Sequence, residues 1–150
     1  MSWNIFLLPK PINFTLQDER EDKIIEKLKE YGTDIIVLQE SFSHKTTEHI
    51  INSLNKLYPY SEALQKKEKF YQLLSSGLLI LSKYPLKKLD EVVFNECNGA
   101  DCFAAKGFLL VEMDVLNQKK FQLGITHLQA HDDTKNEITR ETQIALIKKS

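Results

Sequence analysis

Apolar positions along the chain change their period several times, and each change marks an element. Ser2–Leu8 (SWNIFLL) reads as a short strand that ends before Pro9. Thr15 can cap a helix through its hydroxyl, with Asp18 three residues later and a charged first turn. Ile24, Ile25 and Leu28 fall on one face of that helix, and Gly32 supplies its stop. Asp34–Gln39 (DIIVLQ) is a continuous apolar run, as in a strand buried on both faces. Residues 44–57 form a second amphipathic helix, with Ile50, Ile51, Leu54 and Leu57 toward the core, and Tyr58 and Pro59 end it.

The second part of the chain is richer in strands. Gly77–Leu81 (GLLIL), Glu91–Phe94 (EVVF), Gly107–Val115 (GFLLVEMDV) and Phe121–Leu128 (FQLGITHL) all read as strands. The turn at Asn117–Lys120 is short enough for an antiparallel hairpin. A last helix spans Asn136–Lys149, with Ile138, Ile144, Leu146 and Ile147 as its apolar positions. The order βαβαβ followed by antiparallel strands predicts an α/β chain: one mixed, mainly antiparallel sheet with helices on one face.

Composition narrows the function classes. With 150 residues the chain can build one domain with a core, and its net charge of −1 provides no global field toward nucleic acid or anionic lipid. No apolar run reaches bilayer length, and Met1–Pro9 is short and lacks a basic leader. A cytoplasmic location is the default, and secretion is the alternative if an upstream signal peptide has been lost. Cys97 and Cys102 have four residues between them. They read as free thiols, or as a small-loop disulfide in an oxidising compartment. No second Cys or His pair has zinc spacing.

Three polar residues stand where apolar strands end or begin. Glu40 follows DIIVLQ directly, and ligands of open α/β sheets collect beyond the carboxyl ends of strands. A carboxylate there suits a hard divalent cation, and a solvated Glu at a loop start is the other reading. Asn4 inside the first strand needs hydrogen-bond partners, and it could orient Glu40, touch a phosphate oxygen or bond a neighbouring loop. His127 closes FQLGITHL, and an imidazole there can stabilise charge on a phosphate ester or pass a proton. His44, His49 and His131 read as ordinary surface or core residues, and His131-Asp132-Asp133 as a solvated loop run rather than a metal cluster.

Taken in order, the blocks SWNIFLLP, DIIVLQESF, SGLLILSKYPL, GADCFAAKGF and GITHLQAHD resemble those of neutral sphingomyelinases. These belong to the superfamily that also holds pancreatic deoxyribonuclease, apurinic endonucleases and inositol-phosphate phosphatases. The Asn and Glu blocks are shared across that superfamily, whereas AAKGF and THLQA are more particular to sphingomyelinases. TRETQIALI resembles the helix after THLQA. The resemblance implies that Glu40 holds a catalytic Mg²⁺, that Asn4 lies near that metal, and that His127 contacts the phosphate. Lys106 falls in the family's Lys-Gly pair, where a phosphate contact and an ordinary salt bridge are equally open.

The resemblance also implies a four-layer α/β/β/α sandwich of which residues 1–150 form the N-terminal half. The family's general base, an Asp–His pair, and its Asp-x-Asn motif are expected beyond Ser150. The chain alone should therefore be an incomplete phosphodiesterase with a sphingomyelin-like phospholipid substrate. Its inner sheet face should be uncovered and prone to self-association, or to pairing with the missing C-terminal half. A nuclease or other phosphoesterase of the superfamily, and a non-catalytic module binding phosphate headgroups or a partner, are the alternatives. The near-zero charge disfavours nucleic acid. One further segment, Lys66–Leu74 (KKEKFYQLL), sets lysines beside Phe70, Tyr71, Leu73 and Leu74. It fits either a loop lying on a lipid surface or one whose aromatics pack on the domain.

Overall fold

The structure is a computed structural model and describes residues 1–8, 17–66, 69–115 and 119–149. Thr15, Asn117 and Gln118 lie outside them, so the first cap and most of the hairpin turn do too. Among the described residues, seven strands and three helices follow in the order β1 (Ser2–Leu7), α1 (Gln17–Tyr31), β2 (Ile35–Ser41), α2 (His44–Leu54), β3 (Tyr60–Leu64), β4 (Leu78–Ser82), β5 (Leu86–Val93), β6 (Gly107–Val115), β7 (Lys119–His127) and α3 (Thr134–Ile147). A 3-10 turn at Gly99–Phe103 precedes β6. None of the described helices is long and apolar enough to cross a membrane.

The strands form two sheets rather than the single one expected. The first has the order β1-β2-β4-β3 and the second β5-β6-β7. β1 runs parallel to β2, and every other pairing is antiparallel. The α/β class and the mixed, mainly antiparallel pairing are as the sequence predicts.

Strand alternation explains how the layers stack. On one face of the first sheet, Ile36, Leu38, Leu79 and Leu81 pack against Ile24, Ile25 and Leu28 of α1 and Ile50 and Leu54 of α2. On the other face, Val37, Leu64, Leu78 and Ile80 meet Leu109, Val111, Met113 and Ile125 of the second sheet. The inner face expected to meet water is therefore covered. The long β6–β7 hairpin folds back over it, which removes the physical basis for self-association through that face.

Helix α3 departs from its apolar pattern. Its buried residues are Asn136 and Gln143, while Ile138 and Ile144 are exposed. Gln143 accepts from the Gln129 amide at 2.9 Å and donates to the Glu96 carbonyl at 2.8 Å. The helix is thus pinned by polar contacts to the segments flanking β6 and β7. Leu57, expected in the core, lies beyond the end of α2 and is exposed.

Candidate active site

The four candidate residues come from, or adjoin, four strands and meet at one end of the two sheets. Asn4 lies in β1, Glu40 in β2, Lys106 directly before β6, and His127 at the end of β7. Asn4 pairs with Gln39, and the β1–β2 register then shifts before Leu7 meets Ser41. Such irregularities bend a strand and re-aim its side chains. Phe6 inside the shift has φ +47° and Glu40 opposite has φ +63°, both left-handed. Strain of this kind persists where the surroundings enforce it. Here Gly77 allows it, because a Cβ at that position would stand 2.8 Å from Glu40 Cα.

Asn4 Nδ2 donates to Glu40 Oε1 at 2.8 Å, and Asn4 Oδ1 accepts from the Phe6 amide at 3.1 Å. The Phe6 bond sets which end of the amide faces Glu40, so Asn4 orients the carboxylate. Glu40 Oε1 lies 3.5 Å from His127 Nε2. The other ring nitrogen, Nδ1, faces the Ser76 carbonyl at 3.2 Å, a group that can only accept. Nδ1 therefore carries a proton. Nε2 either accepts from Lys106 Nζ at 3.4 Å or, in the imidazolium form, donates to Glu40.

Lys106 is 3% exposed, and its Nζ lies 2.8 Å from Asp101 Oδ1. Of the two roles left open for this lysine, the salt bridge is made, and the amine also reaches the His127 ring. Asp101 Oδ2 accepts from the Ala130 amide at 2.8 Å, which ties the 3-10 turn to the segment after β7. Asp101 is a site residue that the sequence reading does not single out, and its place in the GADCFAAKGF block ahead of Lys106 is its only signal. A disulfide joins Cys97 to Cys102 across this turn, in place of free thiols.

Burial pushes the Glu40 pKa up, but hydrogen bonds from His127 and Asn4 and the charges of His127 and Lys106 outweigh it. The carboxyl is held below its ordinary 4.5 and stays ionised. Glu40, Asp101 and Lys106 line an open cleft of about 520 Å³ together with Phe6, Leu73 and Phe103. An ionised carboxylate beside such a cleft fits Mg²⁺, which takes one or two carboxylates and completes its shell with water and phosphate oxygens. Among the described residues no three His, Cys, Asp or Glu side chains are grouped as a metal cage.

The other histidines stand apart from this cluster, except that His131 lines the same cleft. His49 Nδ1 pairs with Glu21 at 2.6 Å, and His44 lies 3.7 Å from Glu48. In the His131-Asp132-Asp133 run, Asp133 caps α3 by accepting from the Asn136 amide, and Asp132 is fully exposed.

The model of the Endonuclease/Exonuclease/phosphatase family matches residues 1–110, and the chain belongs to that family. Its relatives there include sphingomyelinases and phospholipases C. Sphingomyelinase C 2 of Leptospira interrogans (serogroup Icterohaemorrhagiae, serovar Lai) is 31% identical over 147 residues, covering 88% of this chain and 23% of its own. Sphingomyelinase C from Streptomyces griseocarneus superimposes with a TM-score of 0.85 at 24% identity, covering 97% of this chain and 55% of that one. A beta toxin mutant from Staphylococcus aureus, with bound magnesium ions, gives 0.83 at 23% identity, covering 99% and 58%. The chain thus spans about a quarter of that Leptospira relative and a little over half of these structural neighbours.

Proposed function

We propose that the chain carries the metal- and phosphate-binding part of a Mg²⁺-dependent phosphodiesterase acting on a sphingomyelin-like phospholipid. The observation behind this reading is the convergence of ionised Glu40 with His127 and Lys106 beside one cleft. Identity with the Leptospira sphingomyelinase supports the substrate class, and the magnesium in the beta toxin supports the cation.

When bound, Mg²⁺ supplies a Lewis acid for the phosphoryl group. Glu40 is the residue of this chain that would hold it, and Asn4 keeps that carboxylate oriented. His127, fixed by the Ser76 carbonyl, turns Nε2 toward Glu40 and Lys106, which line the cleft, and Lys106 adds positive potential beside it. Both stabilise negative charge on a phosphate oxygen. His127 is engaged by the Ser76 carbonyl, Lys106 and Glu40, and the cleft's own imidazole, His131, contacts no carboxylate among the described residues that line it. Loss of a general base costs about a hundredfold to ten-thousandfold, so the chain alone should show negligible turnover. The Cys97–Cys102 disulfide favours an oxidising compartment over the cytoplasmic default.

The test is Mg²⁺ calorimetry beside a sphingomyelin hydrolysis assay. We expect weak binding, roughly millimolar, that Glu40→Gln abolishes while circular dichroism stays unchanged. Equal Mg²⁺ affinity in the variant would overturn the metal assignment. Turnover by the clean chain that disappears in Glu40→Gln would overturn its inactivity.

A further inference from the structure

The loop before β4 presents apolar side chains to water on a fixed scaffold. Phe70 is 98% exposed and Leu73 60%, and neighbouring Phe103 and Phe6 are each 52% exposed. Between the two readings of this segment, packing on the domain holds for Leu74, which is buried, and fails for Phe70 and Leu73. Lys67 and Glu68 lie outside the described residues. The loop is nonetheless well tied. The Leu73 and Leu74 amides both donate to the Phe103 carbonyl, at 2.8 and 3.0 Å, and the Ala105 amide donates to the Leu74 carbonyl at 3.0 Å. The Gln72 amide closes a turn onto the Lys69 carbonyl at 3.0 Å. Tyr71 stands edge-on to Phe70 with ring centroids 5.6 Å apart.

Leu73, Phe103 and Phe6 also line the cleft that holds Glu40, Asp101 and Lys106. Exposure orders these groups by depth: Lys106 is buried and the three apolar side chains lie outward of it. Buried Phe42, Leu74 and Ala104 line it as well, so the cleft is mainly apolar, with Glu40, Asp101 and Lys106 set into its wall as charges of both signs. We propose that the exposed apolar rim, with Phe70 and Leu73 at its tip, docks onto a zwitterionic lipid surface. Contiguous apolar patches rimmed by polar groups mark interaction sites. A cleft lined by two carboxylates and an ammonium complements a headgroup that itself carries both charges. The Lys69 ammonium beside the patch is already engaged by the Asn95 carbonyl at 2.6 Å. With a net charge of −1 on the whole chain, attachment rests on apolar insertion rather than attraction to anionic lipid. The choice of lipid rests on the phosphodiesterase reading above, and the insertion itself does not.

Flotation with phosphatidylcholine vesicles, with and without sphingomyelin, tests this at low and high salt. The chain should bind both, with little change in salt. Phe70→Ser combined with Leu73→Ser should lower partitioning about tenfold or more, the scale set by withdrawing two large apolar side chains from lipid. Tyr31→Ser, an exposed aromatic at the far end of α1, should leave it unchanged. Phe70→Trp should give an emission that shifts blue on adding vesicles and is quenched by brominated lipid. Vesicle binding should be the same with added Mg²⁺ and with EDTA, so a failed metal assignment leaves this result readable. Absence of vesicle binding, undiminished binding by the double variant, or an unshifted emission from Phe70→Trp would overturn the proposal. So would light scattering showing that the double variant dissolves a dimer, because a second copy would then be the occupant.

Discussion

β4 and β7 contribute to the same inter-sheet core, yet they live in different surroundings. All five residues of β4 are buried, between β2 and β3 on its sides and between a helix layer and a sheet on its faces. In β7, nine residues long, only Ile125 is buried, and among the described strands it pairs only with β6. The candidate site draws on both environments. Glu40 is held by β2, which is paired on both sides, whereas Asn4 and His127 lie on β1 and β7, each paired on one side among the described strands. Stability and the metal-holding half of the site should thus depend on the first sheet, and placement of the phosphate-facing imidazole on the second.

The strongest way to break this comparison is to truncate each strand. Leu79 is fully buried between β4 and the helices, and Leu79→Ala should cost about 3 kcal/mol, within the range for buried leucines. Phe121 of β7 is 51% exposed, and Phe121→Ala should cost under about 1 kcal/mol. Urea unfolding measures both. Equal losses would mean that β7 is as closely packed as β4.

The same contrast explains what can be read from the residues alone. β2 and β4 announce themselves because strands buried on both faces are continuous apolar runs. β3 (YSEAL) escapes such reading because it is an edge strand with three half-buried residues in its middle, directly after Pro59. In β5 only Glu91–Val93 looks strand-like, since Lys87, Lys88 and Leu89 face water. That shortened strand hides the second sheet, and face-to-face packing of sheets leaves no local mark. Asn4, Glu40, Lys106 and His127 are legible because each sits at or near a strand end within a recognisable block. Asp101 is not, because a loop carboxylate looks solvated until its lysine is seen. Gln143 and Asn136 escape for the opposite reason, since polarity argues against their burial.

Two glycines sharpen the link between the first sheet and the metal residue. Gly77 has φ +68° with Glu40 Cα 2.8 Å from where a Cβ would stand, and Gly99 has φ +64° with nothing within 4 Å. Gly99→Ala should cost only the left-handed conformation, about 1 kcal/mol. Gly77→Ala should cost about 1 kcal/mol more and should weaken Mg²⁺ binding, because the neighbouring backbone must move Glu40. Denaturation and calorimetry on the pair separate the two effects. If both variants lose stability equally and bind Mg²⁺ equally, the close approach at Gly77 does not position the carboxylate.

The smallest effect concerns an ion pair that joins the two sheets. Glu91 of β5 pairs with Lys66, just beyond β3, and with Lys88 at 2.9 Å. The bond from Lys66 lowers the Glu91 pKa from its ordinary 4.5, burial opposes that, and Lys88 adds to the lowering. A carboxylate whose folded pKa is depressed stabilises the fold above its unfolded pKa. That contribution is lost as pH falls through the depressed folded value. The lysines are 61% and 40% exposed, so solvent screening limits the pair to about 0.5 kcal/mol. Glu91→Gln should therefore be slightly less stable than the parent near neutral pH. The two unfolding curves should converge as the solution is acidified below 4.5. A difference that persists in acid would assign the effect to lost packing at β5 rather than to charge.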